Sequence, residues 1–324
     1  MKKVSVGGQA VLEGVMMKGP DAYALAVRKP DNEIAIKVTD YKSLGERYKI
    51  LTIPILRGIV NFLESLYIGM KTLMDSSEYM EDEEVAAASG DKKNEIKEEK
   101  KSDDKKPEEK KSGSDTGYLI GTLVVSLAMA IGIFMILPAF VANLFYHFTE
   151  SAIIVNLIEG ILRLVIFLGY VYVISFMKDI NRTYMYHGAE HKTINCMEAG
   201  DDLTVENVQK HTRFHRRCGT SFVFIVMFIS ILVFMFVKTD TLWLRLVSRV
   251  LLVPVIAGIS YEFIRYAGKH DNVISRALSA PGLWVQRLTT REPEDSMVEV
   301  AIKSVEGVID WHEYVDCVRN DSFE

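Results

Sequence analysis

The 324-residue sequence predicts an α-helical multi-pass membrane protein with four transmembrane helices, a small N-terminal β-containing cytoplasmic segment and amphipathic surface helices. Three observations predict it. Residues 118–177 and 219–264 are strongly apolar, residues 81–116 are densely charged, and basic residues concentrate in the stretch that separates the two apolar regions. A near-neutral mean hydropathy conceals this contrast.

A helix needs about 20 mostly apolar residues to cross the hydrocarbon core of a bilayer. Leu119–Ile136 carries no charge and continues past Pro138 as AFVANLF; Ile153–Met177 is interrupted only by Glu159 and Arg163. Gly219–Val237 is free of charge, and Leu242–Ile264 is interrupted by Arg245, Arg249 and Glu262. Pairing these spans gives regions 117–177 and 219–264. Lys and Arg in short loops set orientation. Segment 138–152 has none, 238–244 has only Lys238, and 178–218 has seven. The middle loop therefore faces the cytoplasm, and so do both termini, which places the chain in the cytoplasmic membrane. MKKVSVGGQA lacks the apolar stretch of a signal peptide, in agreement.

Within residues 1–50, YALAVR (23–28) and EIAIKV (33–38) alternate in polarity around KPDN and predict a β-hairpin. The preceding GGQAVLEGVMMKGP supplies one further candidate strand. Over 51–80, Pro54 suits a helix N1 position, and Ile55, Leu56, Ile59, Leu63, Leu66 and Met70 begin a broad apolar face. Arg57, Asn61, Glu64 and Lys71 oppose it, which argues against a fifth span and for a helix lying on the membrane surface. Residues 81–116 contain no aromatic residue and many Lys, Glu and Asp, the composition of a disordered linker. In the cytoplasmic C-terminal segment 265–324, Met297, Val300, Ala301, Val305, Val308 and Ile309 follow Pro293 at amphipathic-helix spacing.

The net charge of −5 excludes nothing by itself but gives no sign of a nucleic-acid partner. Three cysteines, Cys196, Cys218 and Cys317, form no disulfide framework; in a reducing compartment each is a free thiol or a metal ligand.

The chemistry concentrates in the cytoplasmic loop 178–218. Four of the seven histidines lie between positions 187 and 215. His187 and His191 are one helical turn apart with Glu190 beside them, a spacing at which two imidazoles grip one ion. The order H-x-x-E-H is that of inverted zinc peptidases, in which the glutamate activates water. His215 precedes Cys218 by three residues and follows His211 by four. The competing reading of any one histidine is an interfacial polar residue, of Cys218 and Cys196 simple packing, and of Cys317 no role. Arg163, Arg245 and Arg249 lie in the outer portions of their spans, with Glu159 one turn before Arg163; they read either as an anion site or as snorkelling side chains. Glu13 reads as a surface acid within reach of the loop.

GGQAVLEGVMMKGP (7–20), YHGAEHKTINC (186–196), RRCGTSF (216–222) and APGLWVQRLTTREP (280–293) resemble the YqhQ-like family of bacterial membrane proteins. The resemblance covers nearly the whole chain apart from the charged linker. The family is uncharacterised and carries a suggestion of metal dependence. Residue by residue, the resemblance implicates His187, Glu190, His191, His215 and Cys218; His211 lies outside the family pattern.

The leading expectation is a membrane-embedded metal-dependent hydrolase. His187, His191, His215 and Cys218 hold one divalent ion, zinc or alternatively iron, Glu190 acts as general base, and the substrate is membrane-associated. A di-iron oxidoreductase fits HGAEH and HTRFH but is short of histidines. The rivals are a scaffold or assembly factor whose amphipathic helices dock a protein partner, and a transporter that forms its path as a homo-oligomer through the intramembrane arginines.

Overall fold

The computed structural model describes residues 6–90, 121, 124–237, 241–270 and 272–322. Most of the predicted linker, residues 91–116, lies outside the described residues.

The chain opens with a four-stranded antiparallel meander: β1 (Gly7–Val11), β2 (Gly14–Lys18), β3 (Ala22–Arg28) and β4 (Ile34–Asp40), in spatial order β1-β2-β3-β4. β3 and β4 are the predicted hairpin, turned by Asn32 at a φ of 68°. The glycine-rich stretch before it forms two strands where one was expected, because Leu12 and Glu13 make a tight turn with Glu13 in the left-handed region at a φ of 47°. Alternate side chains of β2 and β3 are buried on both faces of the sheet. Val15, Met17 and Ala26 belong to one core; Met16, Tyr23, Leu25 and Val27 join another with Ile68. A sheet covered on both sides takes near-continuous apolar strands, as VMM and AYALAV are.

After a short helix α1 (Leu44–Arg47) comes α2 (Leu56–Gly90). Two expectations shift here. Pro54 stands two residues before the first helical residue, not at N1, and the helix runs ten residues into the charged stretch, because EDEEVAAA is rich in good helix formers. The polar residues of α2 do more than face water: Arg57 pairs with Glu262, Asn61 donates to the Tyr261 hydroxyl at 2.9 Å, and Glu64 accepts from the Leu44 N–H at 2.6 Å.

Among the described residues three helices are long and apolar enough to cross a membrane: α3 (Val124–His147, with a π turn at Gly132–Ile136), α4 (Ala152–Ile174) and the stretch Trp243–Ala267 of α8 (Leu242–Lys269). The remaining apolar helix, α7 (Gly219–Met235), has 17 residues, about 26 Å at 1.5 Å per residue. It packs against α4 and α8, with Ile225, Ile229, Phe234 and Ile256 in a shared core.

The polar segments form a second body. Helix α5 (Lys178–Ala199) is followed by α6 (Val205–Lys210); after α8 come α9 (Val273–Thr289), α10 (Asp295–Glu306) and α11 (Trp311–Arg319). The region 178–218, expected as a loop, is mainly the buried helix α5. Helix α10 is the predicted amphipathic helix, and it covers protein: Met297, Val298, Val300, Ala301 and Val305 are buried against α5 and the sheet. The Ser304 hydroxyl accepts from the Met17 N–H at 2.9 Å and donates to the Ala24 carbonyl at 2.8 Å, inserting α10 into the β2–β3 ladder. Helix α9, for which the sequence reading proposed no element, packs on α7 and α8 and joins the bundle to this second body.

Candidate metal centre

Four sequence segments meet where the bundle abuts the α/β body. Helix α5 brings His187, Glu190 and His191 along one side. It lies so close to the segment after α9 that a Cβ on Gly188 would stand 2.0 Å from the Arg291 carbonyl oxygen, so only glycine fits there. The Arg291 N–H donates to the Tyr184 carbonyl at 2.9 Å and locks the two together. Residues 211–218 run in non-helical conformation and end at Cys218, the N-cap of α7. Gln286 of α9 clamps this segment: its amide donates to the His215 carbonyl at 2.7 Å and to Ser221 Oγ at 2.9 Å, and its oxygen accepts from the His215 N–H at 2.8 Å.

His187, His191 and Cys218 come together, with one ligand atom of each within 4.8 Å of the others. His187 Nε2 lies 3.2 Å from Cys218 Sγ. Two tetrahedral ligands of one zinc ion, at about 2.0 Å for nitrogen and 2.3 Å for sulfur, stand roughly 3.5 Å apart, so the spacing suits a shared ion. The tautomers are set by backbone. A carbonyl only accepts, so His187 Nδ1 donates to Thr289 O at 2.8 Å and His191 Nδ1 donates to Arg213 O at 2.7 Å. Both Nε2 atoms are left to face inward. His191 is fully buried, and its Nε2 has no hydrogen-bond partner among the described residues. An orphaned buried imidazole nitrogen beside a thiol, with the opposite nitrogen fixed by a carbonyl, is the arrangement that metal ligation completes.

Burial works against charge on His187, but the Cys218 thiolate, Glu190 and the Thr289 carbonyl carry its pKa up to about 9. Burial likewise opposes ionisation of Cys218, yet His187 and His191 hold its pKa well below the usual thiol range. The sulfur also accepts from the Thr220 N–H at 3.4 Å, as an N-cap does.

The other candidates stand around this trio. Glu190 is buried, with Oε2 3.8 Å from His187 Nε2. His215, expected as a fourth ligand, packs its ring 5.6 Å from that of His191 but turns Nε2 to Glu198 at 3.6 Å, outside the three-ligand group. His211 pairs with Asp201 at 2.9 Å, and HTRFH is not helical, so no second H-x-x-x-H box forms on a helix. Cys196 is fully buried and its thiol is pushed up to about 12 by burial and by Asp201 and Asp202, as befits packing. Glu13 reaches α5, pairing with Arg182 and accepting from the Tyr186 hydroxyl, and does not touch the trio.

A cleft of about 660 Å³ opens onto His187 and Cys218, with His191 behind them, between β1, α2, α5 and the start of α7. His187, Glu190 and Cys218 line it with Lys18, Asn61 and Arg217. Burial lowers the Lys18 pKa against the pull of Glu64. Sequence reasoning missed the supports of the site. Gln286 carries no separate signal beyond its place in the APGLWVQRLTTREP stretch, and the carbonyls of Thr289 and Arg213 carry none at all, since every residue has one.

The fold and the cluster define a class: a helical chain with membrane-length apolar helices and a His/His/Cys cluster at the junction with a small α/β body. The chain belongs to the family described as "Protein of unknown function (DUF1385)", which matches residues 53–311. It is 38% identical over 308 residues to the uncharacterized protein YqhQ of Bacillus subtilis (strain 168), covering 92% of this chain and 90% of that protein. No solved structure matches.

Proposed function

We propose that the chain is a membrane-embedded metalloprotein that holds one divalent ion, zinc in preference to iron, through His187, His191 and Cys218, and acts as a hydrolase on a membrane-associated substrate. The observation that carries this reading is the buried, partnerless Nε2 of His191 aimed beside the Cys218–His187 contact. Three protein ligands with a cleft on the remaining side fit a catalytic rather than a structural zinc site. A bound zinc ion supplies Lewis acidity, the chemistry that activates water near neutral pH. Glu190, at the cleft wall, accepts a proton as general base; Thr289 and Arg213 orient the imidazoles; Lys18 favours an anionic group in the cleft, while Arg217 is paired with Glu198. Hydrolysis itself rests on the order H-x-x-E-H and the open side of the cluster. Four spans, with α7 as the short one, and cytoplasmic termini are part of the proposal, supported by the seven basic residues of 178–218 against none in 138–152.

The same contact supports a second reading, in which Cys218, at the N-cap of α7 and paired with His187, is a nucleophile. A dyad needs only His187 beside the thiol, whereas an ion would take both inward-facing imidazole nitrogens, which is why metal is preferred. Elemental analysis of the full chain, purified in detergent without chelators, separates them. About one zinc or iron per chain, lost in His187→Ala, His191→Ala and Cys218→Ser and retained in His215→Ala, is the expected result. A folded wild type without metal, alkylated rapidly at Cys218 by iodoacetamide, sinks the metal reading in favour of the nucleophile.

A further inference from the structure

The end of the bundle away from the His/Cys trio holds a second polar cluster. Helix α7 runs from its cap at Cys218 to Phe234, about 25 Å at 1.5 Å per residue, so the two clusters are separate. Asn156, Glu159 and Arg163 come from the first turns of α4, Arg245 and Arg249 from the first turns of α8, and Tyr146 from the end of α3. Glu159 is 1% exposed, Arg249 2% and Arg245 5%.

The hydrogen bonds are unevenly distributed. Glu159 accepts from Arg249 at 2.8 and 3.0 Å and from Arg163 at 2.8 Å. Arg163 Nε donates to the Phe134 carbonyl, within the π turn of α3, at 3.0 Å. Asn156 accepts from Arg249 at 3.3 Å and donates to the Phe234 carbonyl at 2.9 Å. Among the described residues Arg245 makes a single bond, to the Tyr146 hydroxyl at 2.7 Å. Its Nε and Nη1, and Nη1 of Arg249, are buried without a hydrogen-bond partner among the described residues. A guanidinium cannot shed its proton, so these are charged donors enclosed in protein. The four groups Arg163, Arg245, Arg249 and Glu159 sum to three positive charges and one negative, a formal excess of two.

Such an excess among described residues at membrane depth favours an anion as partner. Arg245 and Arg249 are four residues apart and share one side of α8. Phe234 lies 4.1 Å from the Arg249 guanidinium and Tyr146 5.4 Å from that of Arg245, so aromatic rings take guanidinium faces and leave the N–H edges as donors. Free N–H groups on two forks suit a tetrahedral oxyanion, whose oxygens diverge, better than a planar carboxylate. Trp243, Leu244, Val250 and Leu251 beside them are exposed and apolar, the surroundings of an acyl chain or headgroup boundary.

We propose that Arg245 and Arg249, neutralised only in part by Glu159, form a binding site for a phosphate anion, supplied either by a lipid headgroup or as free phosphate. The test uses the full chain, delipidated in neutral detergent, with thermal unfolding followed at constant ionic strength. Inorganic phosphate and dioleoyl phosphatidylglycerol are titrated separately into wild type and Arg245→Met. Stabilisation of wild type with at least a tenfold weaker response in Arg245→Met is expected; a response to phosphatidylglycerol alone identifies a headgroup, and one to inorganic phosphate alone identifies free phosphate. Without ligand, Arg245→Met loses the bond to Tyr146 together with two partnerless charged donors, and the ligand-free midpoint of each variant is the baseline for its own titration. If that variant does not fold, Arg245→Lys, which keeps the charge and loses the fork, is expected to bind several-fold more weakly. No stabilisation of wild type by either ligand, or equal responses in wild type and variant, overturns the site.

Discussion

At the scale of single residues, His187 and Cys218 form a proton-sharing pair whose state depends on what binds there. The His187 pKa is raised to about 9 and the Cys218 pKa lies well below its usual value, both shifts favouring imidazolium and thiolate in the metal-free pair. The thiolate is ready to ligate, but His187 Nε2 carries a proton that an ion must displace. Binding of the proposed ion would therefore release that proton below about pH 9, and its apparent affinity is expected to rise about tenfold per pH unit before levelling off above it. The sign follows from the raised pKa: the protonated form dominates below it and competes with the ion. Zinc competition against a chelating dye between about pH 6 and pH 8 checks this; a flat profile over that interval contradicts a protonated His187.

At the scale of elements, the amphipathic helix α2 is held by protein as well as by any interface. It crosses α8 at glycine: a Cβ on Gly258 would lie 2.6 Å from the Ile55 carbonyl oxygen, and one on Gly58 would lie 2.8 Å from the Gly258 carbonyl oxygen. Both neighbours are backbone and cannot swing aside. Gly258→Leu is expected to destabilise the full chain by roughly 1–3 kcal/mol, the range for overpacking, read as a lower midpoint of thermal unfolding. Leu63→Ala, at a position 58% exposed, is the comparison and should shift the midpoint little. Equal effects from the two would mean that the α2–α8 crossing contributes no tight packing.

At the scale of the whole molecule, orientation is the property on which the proposed chemistry depends, since a cytoplasmic site and an external one meet different metals and substrates. All three native cysteines are buried, which leaves a low background for thiol labelling. Glu150, between α3 and α4, and Ser322, near the C-terminus, are exposed. In intact cells a membrane-impermeant maleimide is expected to label Glu150→Cys and to reach Ser322→Cys only after permeabilisation. The reverse pattern places the His/Cys cluster outside and removes the cytoplasmic hydrolase from consideration.

Much of this protein is determined locally and is therefore legible in the sequence. Apolar runs of about 20 residues, the KPDN turn between alternating strands and the 3.6-residue spacing after Pro293 each report a preference that neighbours along the chain already express. The one-turn spacing of His187 and His191 likewise needed only the helical period. What the tertiary structure decided was pairing across distance. It chose Cys218 over His215 as the third member of the cluster, because Gln286 clamps the His215 backbone and Glu198 takes its ring. It turned the region expected as a loop into a buried helix, because α10 and the sheet cover it. It separated Arg245 from Glu159 by giving that carboxylate to Arg163 and Arg249. The physical reason is common to all three: periodicity and composition describe one element at a time, whereas a partner for a buried charge or a ring nitrogen is selected by which elements pack together.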